Sequence, residues 1–394
     1  MRKFLILLAL GLLQFGVHAE WRGNLALESR FFLEDGLQGQ DNQQYSFKVE
    51  PEYFHQGDDS LFTFQFLARK DSMDDERTHA DIRELSWLTY GDDWELKIGI
   101  SKVFWGVAES QHLVDIINQT DTVENVDFED KLGQPMINYT ILREWGNLSL
   151  FVLPYFRERT FAGVGGRFRA PFVIDTDLTT YASSDEENHT DVALRWSHTL
   201  GDWDIGLAHF TGTSREPNFN PVIQNGQVVL APFYSTIDQT SLDLQATLDN
   251  WLWKLEMISN SGLHSRRYTA AVFGFEYSFY DVAESGIDVG MIMEYQYDDR
   301  NLDLAGTPVL DSVVLGSRIA WNDVESTELL LGLGINEEQD MFWNLEASRR
   351  FGEFWKLTVE ARLLTNIDDT NPNISPFYAI RDDSFIQLEL ARYF

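Results

Sequence analysis

The 394-residue sequence contains no cysteine. That excludes a disulfide-stapled scaffold and an anchor carried on a lipidated cysteine. Basic residues are scarce: Lys and Arg number 30 against 63 Asp and Glu, for a formal net charge of −33. Removing residues 1–19 would take away Arg2 and Lys3 and no acid, so the chain would become more negative still. The basic stripe expected of a nucleic-acid binder is missing, and no nucleic-acid partner is expected. Beyond residue 19 there is no run of about eighteen apolar residues, as a membrane helix would need, and mean hydropathy is −0.26. The glycine-rich stretch at 163–169 follows no βαβ pattern, and the acid pairs Asp298-Asp299 and Asp368-Asp369 lack EF-hand spacing. Neither a cofactor nor a metal is expected.

Several features are present in force. Residues 1–19 have the plan of a cleaved secretory signal: Arg2 and Lys3, an apolar core from Leu5 to Val17, and Val17-His18-Ala19 before Glu20. Aromatic residues make up 14% of the chain, with twelve Trp, a heavy load for an acidic soluble protein. The pattern that reconciles acidity with aromatics is alternation. Trp21, Leu25, Leu27 and Phe31 alternate with Arg22, Asn24, Glu28 and Arg30. Trp251, Trp253, Leu255 and Met257 alternate with Lys254 and Glu256, and Trp355, Leu357, Val359, Ala361 and Leu363 with Lys356, Thr358, Glu360 and Arg362. A period of two gives each strand one apolar and one wet face. Charges at every second position cost several kcal/mol each in a dry core. In a transmembrane barrel they face water inside, while the apolar face meets lipid.

The connections alternate as well. Short ones end in an aromatic, as in Gly91-Asp92-Asp93-Trp94, Trp145-Gly146-Asn147, Gly201-Asp202-Trp203, Asp249-Asn250-Trp251 and Gly352-Glu353-Phe354-Trp355. Long polar ones occupy 33–42, 102–135, 156–188, 213–235, 298–311 and 366–380. Tight turns on one rim and long loops on the other are the outer-membrane arrangement. The fold predicted is all-β: an antiparallel up-and-down transmembrane barrel over 20–394, of about 18 strands, with 16 also compatible because 80–90 is poorly phased.

The final strand, "DSFIQLELARYF", places Ile386, Leu388, Leu390, Arg392 and Phe394 on one face. A terminal aromatic behind alternate apolar residues resembles the recognition signal of outer-membrane barrels, with Arg392 a departure from it. The resemblance implies delivery by the barrel-assembly machinery through Phe394 and residence among outer-membrane lipids of a Gram-negative cell. A second resemblance lies in 101–135. Lys102, Trp105-Gly106, Glu109-Ser110 and the Asp-x-x-Asn of Asp115 and Asn118 resemble the strand-to-loop passage of porin-like outer-membrane proteins, and in particular a large, poorly characterised family with a "WGES"-type element. Here Val107-Ala108 splits the element. It implies fold and location, not substrate, and leaves a homo-oligomer open without any visible subunit-contact signature.

Loops as long as 102–135 in ordered domains are often functional. Folded into the lumen, this one is expected to form a constriction lined by Lys102, Trp105, Glu109, Asp115 and Asp121. Arg22, Arg30, Arg195, Glu294, Arg318 and Glu360 fall on the wet face of the wall. Excess acid in "DSMDDE", "TVENVDFEDKLG", "SSDEENHTD" and "NIDDTNPN" predicts an acidic mouth that favours cations. No catalytic constellation emerges: His209 has Thr211 two residues on but no orienting partner, and His264 near Ser261 falls in a short loop. The expected function is therefore passive diffusion of small solutes. A conduit for apolar or lipid-like molecules, a component of an export assembly, and a barrel that displays acidic loops are the other readings of the same fold.

Overall fold

A computed structural model describes residues 19–263, 266–300, 311–370 and 375–394. The expected signal, apart from Ala19, and the loop histidine His264 lie outside the described residues. The wall is one closed sheet of eighteen antiparallel strands. They run Ala19–Phe32, Gln43–Gln56, Ser60–Asp71, Ala80–Tyr90, Trp94–Ser101, Gln134–Arg143, Gly146–Leu153, Asp191–Leu200, Trp203–Thr213, Thr236–Leu248, Trp251–Ser261, Tyr268–Phe279, Asp288–Asp298, Ser312–Ala320, Glu328–Asn336, Met341–Phe351, Trp355–Thr365 and Phe385–Tyr393. The count is eighteen rather than sixteen. Ala19–Phe32 closes against Phe385–Tyr393 from Asn24↔Tyr393 to Phe32↔Phe385. Beyond that pairing Phe394 and Gly23 exchange both backbone hydrogen bonds at 3.1 Å. Closure leaves no strand edge, which is what lets a sheet cross hydrocarbon.

The two faces follow the alternation. Leu27 is 61% exposed and Phe273 53% exposed on the outer surface, while Glu28 and Glu256 are buried inside. Connections 57–59, 91–93, 144–145, 201–202, 249–250, 280–287, 321–327 and 352–354 lie on one rim, and the other described connections, from the short 337–340 to the long 102–133, start from the opposite one. Trp251, Trp253, Phe275 and Tyr277 pack ring against ring beside the short-turn rim, where aromatic girdles sit at the headgroup level.

Two local features depart from the simple pattern. Between Ser60–Asp71 and Ala80–Tyr90 the register slips at Gln65/Phe66, which pair with Glu84 and Ile82 and leave Arg83 as the extra residue of a β-bulge. The slip explains the poor phasing of 80–90 and turns Arg83 into the lumen. The long connection 213–235 is not plain loop. Asn218–Gln224 and Gln227–Tyr234 form a hairpin, which Thr180–Tyr181 joins in parallel. Its turn is Asn225-Gly226, both with positive φ (52° and 80°), the two-residue turn that matches strand twist.

Candidate functional site

Residues 102–133 leave the strand Trp94–Ser101 and fold against the inward faces of the wall, and the residue types along the segment explain how it is held. The backbone N–H groups of Trp105 and Gly106 donate to Asp115 Oδ1 at 2.6 and 3.0 Å. Those of Val107 and Ala108 donate to Glu256 Oε1 at 2.6 and 2.9 Å. Those of Glu109 and Ser110 donate to Glu294 Oε1 and Oε2, both at 2.8 Å. Two wall glutamates thus grip four consecutive amides in charge-assisted bonds. Gly106 must be glycine here, because a Cβ would lie 2.5 Å from His112 Nδ1 and 3.0 Å from Glu256 Oε1. Trp105 packs edge-on to Phe151 and under the Arg195 guanidinium. With Val114, Ile117, Phe210 and Ile258 it forms an apolar core inside the barrel. The Trp-Gly-x-x-Glu-Ser element is therefore a docking device.

The acids downstream are held by arginines. Arg69 bridges Glu28 at 3.0 Å and Glu124 at 2.7 Å. Arg77 bridges Glu28 at 2.8 Å and Asp71 at 3.0 Å, and donates to the carbonyls of Val123 and Glu124. Arg83, aimed inward by the bulge, reaches Asp121 at 2.5 Å. Arg362 gathers Asp127, Glu346 and Glu360 at 3.2, 2.7 and 2.8 Å. The segment is a plug fastened on several sides, where its Asp121, Glu124 and Asp127 share the arginines with the wall carboxylates Glu28, Asp71, Glu346 and Glu360.

This arrangement corrects several site assignments. Trp105 and Asp121 are buried inside the plug, and the half-buried Asp115 is taken up by the amides of Trp105 and Gly106. Arg30, Arg195, Glu294 and Glu360 are on the lumenal face, where they hold structure. Arg30 donates to Gln387 Oε1 at 2.8 Å, Arg195 makes a bidentate pair with Asp243 at 2.6 and 2.8 Å, and Glu360 accepts from Asn125. Arg22 pairs with Glu52 at 2.7 Å at the short-turn rim. Lys102 is half-buried at the start of the plug. Only Glu109 and Arg318, paired at 2.5 Å with Lys254 alongside at 3.2 Å, border open lumen. The acidic mouth is also reduced, since Asp71, Asp74, Asp121 and Glu124 are buried. His79, Asp121 and Glu124 have ligand atoms close enough to hold a metal. Arg83 and Arg69 already occupy both carboxylates, so a dication there would face two guanidiniums.

Sixteen of the wall strands bury at least one inward residue. Ser312–Ala320 and Met341–Phe351 bury none, and between them Glu328–Asn336 buries only Asn336 at its end. Their inward faces carry Gly316, Gly332 and Gly334, with Gly316 opposite Gly332 and Gly332 opposite Asn344. A Cβ on Gly332 would meet only Asn344 Cβ at 3.4 Å, and one on Gly334 nothing nearer than 3.9 Å. The fold does not forbid side chains there; their absence keeps the lumen wide. Between this bare wall and the plug lies a cavity of about 940 Å³, bordered by Glu109, His112, Phe128, Val314, Leu330 and Phe342 among others. The sequence signal for it is "LLLGLGIN", where leucines alternate with missing side chains.

No protein-family model matches the chain, and no curated protein matches it in sequence. Solved structures similar to it include Wzi of Escherichia coli, described as an outer-membrane protein involved in group 1 capsule assembly and a carbohydrate-binding β-barrel. It is 7% identical, with a TM-score of 0.53 over 99% of this chain and 86% of that one. A mutant porin of Rh. blastica is 11% identical, with a TM-score of 0.47 over 95% and 100% of the two chains. OmpT of Vibrio cholerae is 10% identical, with a TM-score of 0.43 over 95% and 97%. At these identities the likeness to Wzi concerns the fold alone, which is that of outer-membrane β-barrels.

Proposed function

We propose that this barrel resides in the outer membrane of a Gram-negative cell and passes small solutes by diffusion along one side of its lumen. The observation that carries the reading is the uneven filling of the interior. A plug fixed by buried ion pairs stops most of the cross-section, whereas three strands keep wet inward faces thinned by glycine. A wall built only to display loops has no use for that asymmetry. The plug sets the constriction, and Glu109 and Arg318 flank it as a fixed pair of opposite charges, which orients dipolar solutes. The barrel acts as a conduit and not as a catalyst: His209 lies on the outer face and hydrogen-bonds Thr240 at 3.0 Å. Lipid, the assembly machinery that reads Phe394 and further copies of the chain are its proposed partners.

Planar-bilayer recording tests this directly. Purified protein should give discrete, long-lived current steps, and Gly332→Phe should lower their size while heat-modifiable gel migration stays unchanged. A folded protein that inserts and carries no current would refute passage and leave display or export roles.

A further inference from the structure

The lining of the cavity is uneven in chemistry as well as in shape. At the long-loop end it is walled by Phe128, Phe161, Phe168, Phe172, Phe219 and Phe377. Every acid but one on its border touches a base: Glu109 touches Lys254 and Arg318, Asp127 and Glu346 share Arg362 with Glu360, Glu129 touches His112 at 2.9 Å, and Glu216 touches Arg300 at 2.8 Å. The exception, Asp340, accepts from Asn336 and from Ser375 at 3.0 and 2.7 Å. Two cations on the same border have no carboxylate within 4.0 Å among the described residues. Arg159 donates through Nε to Gln119 Oε1 at 3.2 Å. Arg169 donates through Nη1 to the carbonyls of Ala170 and Pro171, and its Nε is buried without a partner. Burial lowers the pKa of both guanidiniums, yet arginine remains charged at neutral pH. Glu216 lies within electrostatic reach of Arg159, and Asp383 and Asp74 of Arg169, but none touches them, and a guanidinium beside phenylalanines without a carboxylate in contact is incompletely compensated for its desolvation.

We propose that the cavity selects apolar organic anions: a ring or chain of carbon against the phenylalanines, with a carboxylate at Arg159 or at Arg169. A volume of about 940 Å³ is within the range of small-molecule sites, which combine apolar walls with a few converging polar groups. Guanidinium is suited to a carboxylate because it offers two parallel N–H donors. This deepens the passage reading by naming the solute class.

The test uses the full barrel in nanodiscs and three probes of one shape: 4-tert-butylbenzoate, 4-tert-butylbenzyl alcohol and 4-tert-butylbenzylammonium. Equilibrium dialysis should show the benzoate bound about tenfold or more tighter than the alcohol, with the ammonium weakest. At least one of Arg159→Gln and Arg169→Gln should weaken benzoate about tenfold and leave the alcohol unchanged, and a full-strength response to benzoate in both variants overturns the assignment. The probe comparison on the unaltered protein stands even if a variant fails to fold. Equal binding of the three probes, or preference for the ammonium, overturns the proposal. Benzoate selectivity in a barrel that carries no current overturns passage while keeping the site. Current without benzoate selectivity does the reverse.

Discussion

Arg69 is the side chain whose loss should reveal most about the plug. It lies on the strand Ser60–Asp71, almost wholly inaccessible, and its guanidinium reaches Glu124 Oε2 at 2.7 Å, Glu28 Oε2 at 3.0 Å and Ser46 Oγ at 2.6 Å. Both carboxylates are as buried as the arginine. Arg69→Ala leaves Glu124 without a guanidinium and with only His79 at 3.4 Å, in a place with little solvent to relieve it, while Arg77 still neutralises Glu28. Breaking one side of a buried pair costs about 3–5 kcal/mol, and each 1.4 kcal/mol is a factor of about ten. The population with the 121–125 stretch detached should rise by roughly two to three and a half powers of ten. The wall keeps its ladder of backbone bonds, so circular dichroism and heat-modifiable migration should hold. Single-channel records should become noisy, with excursions to larger current. Adding Glu28→Gln and Glu124→Gln to Arg69→Met removes all three charges and should return quiet records. Quiet records in Arg69→Ala, with unchanged unit current, would refute the claim that ion pairs hold the plug.

Further outcomes follow from the same geometry. Gly106→Ala pushes a methyl group against His112 and Glu256 and should loosen docking, read as increased current noise with unchanged barrel stability. Gly332→Phe should cut unit conductance by about half or more, whereas Gly201→Phe on the short-turn rim should not change it. His112, which donates to Glu129 at 2.9 Å and faces the Glu256 carboxylate at 3.8 Å, is held protonated up to about 10. Because that lies above the ordinary value of about 6.5, its stabilisation is complete below about 6.5 and is lost as pH rises through about 10. Noise should therefore grow over that window and be flat in His112→Gln. Asp130, which burial raises to about 7, alters the balance only below that pH.

The wall was legible because its physics is local. A strand such as Trp251–Ser261 declares both faces within a few residues, and the count of strands follows from turns and loops. Arg83 was not legible, since one extra residue reverses the phase of everything after it and only the partner strand shows where. The acids at 121–130 read as a mouth because their partners lie far off in sequence: Arg69 is 55 residues from Glu124, and Arg83 is 38 from Asp121. A charge pattern reports that acids need solvation and is silent on whether water or a guanidinium supplies it. Two signals were present and went unread. Asn225-Gly226 marks a hairpin, and Gly332 and Gly334 mark a period-two gap on the wet face.

The absence of native cysteine allows the most direct test, single-cysteine accessibility to a charged, membrane-impermeant thiol reagent in the intact outer membrane. The account predicts rapid labelling and loss of current for Val314→Cys, which faces the passage. It predicts no labelling for Ala193→Cys, which faces inward beneath the plug, or for Leu315→Cys, which faces lipid. Labelling of Ala193→Cys as fast as Val314→Cys would mean that the interior is evenly open, and the eccentric passage would not exist.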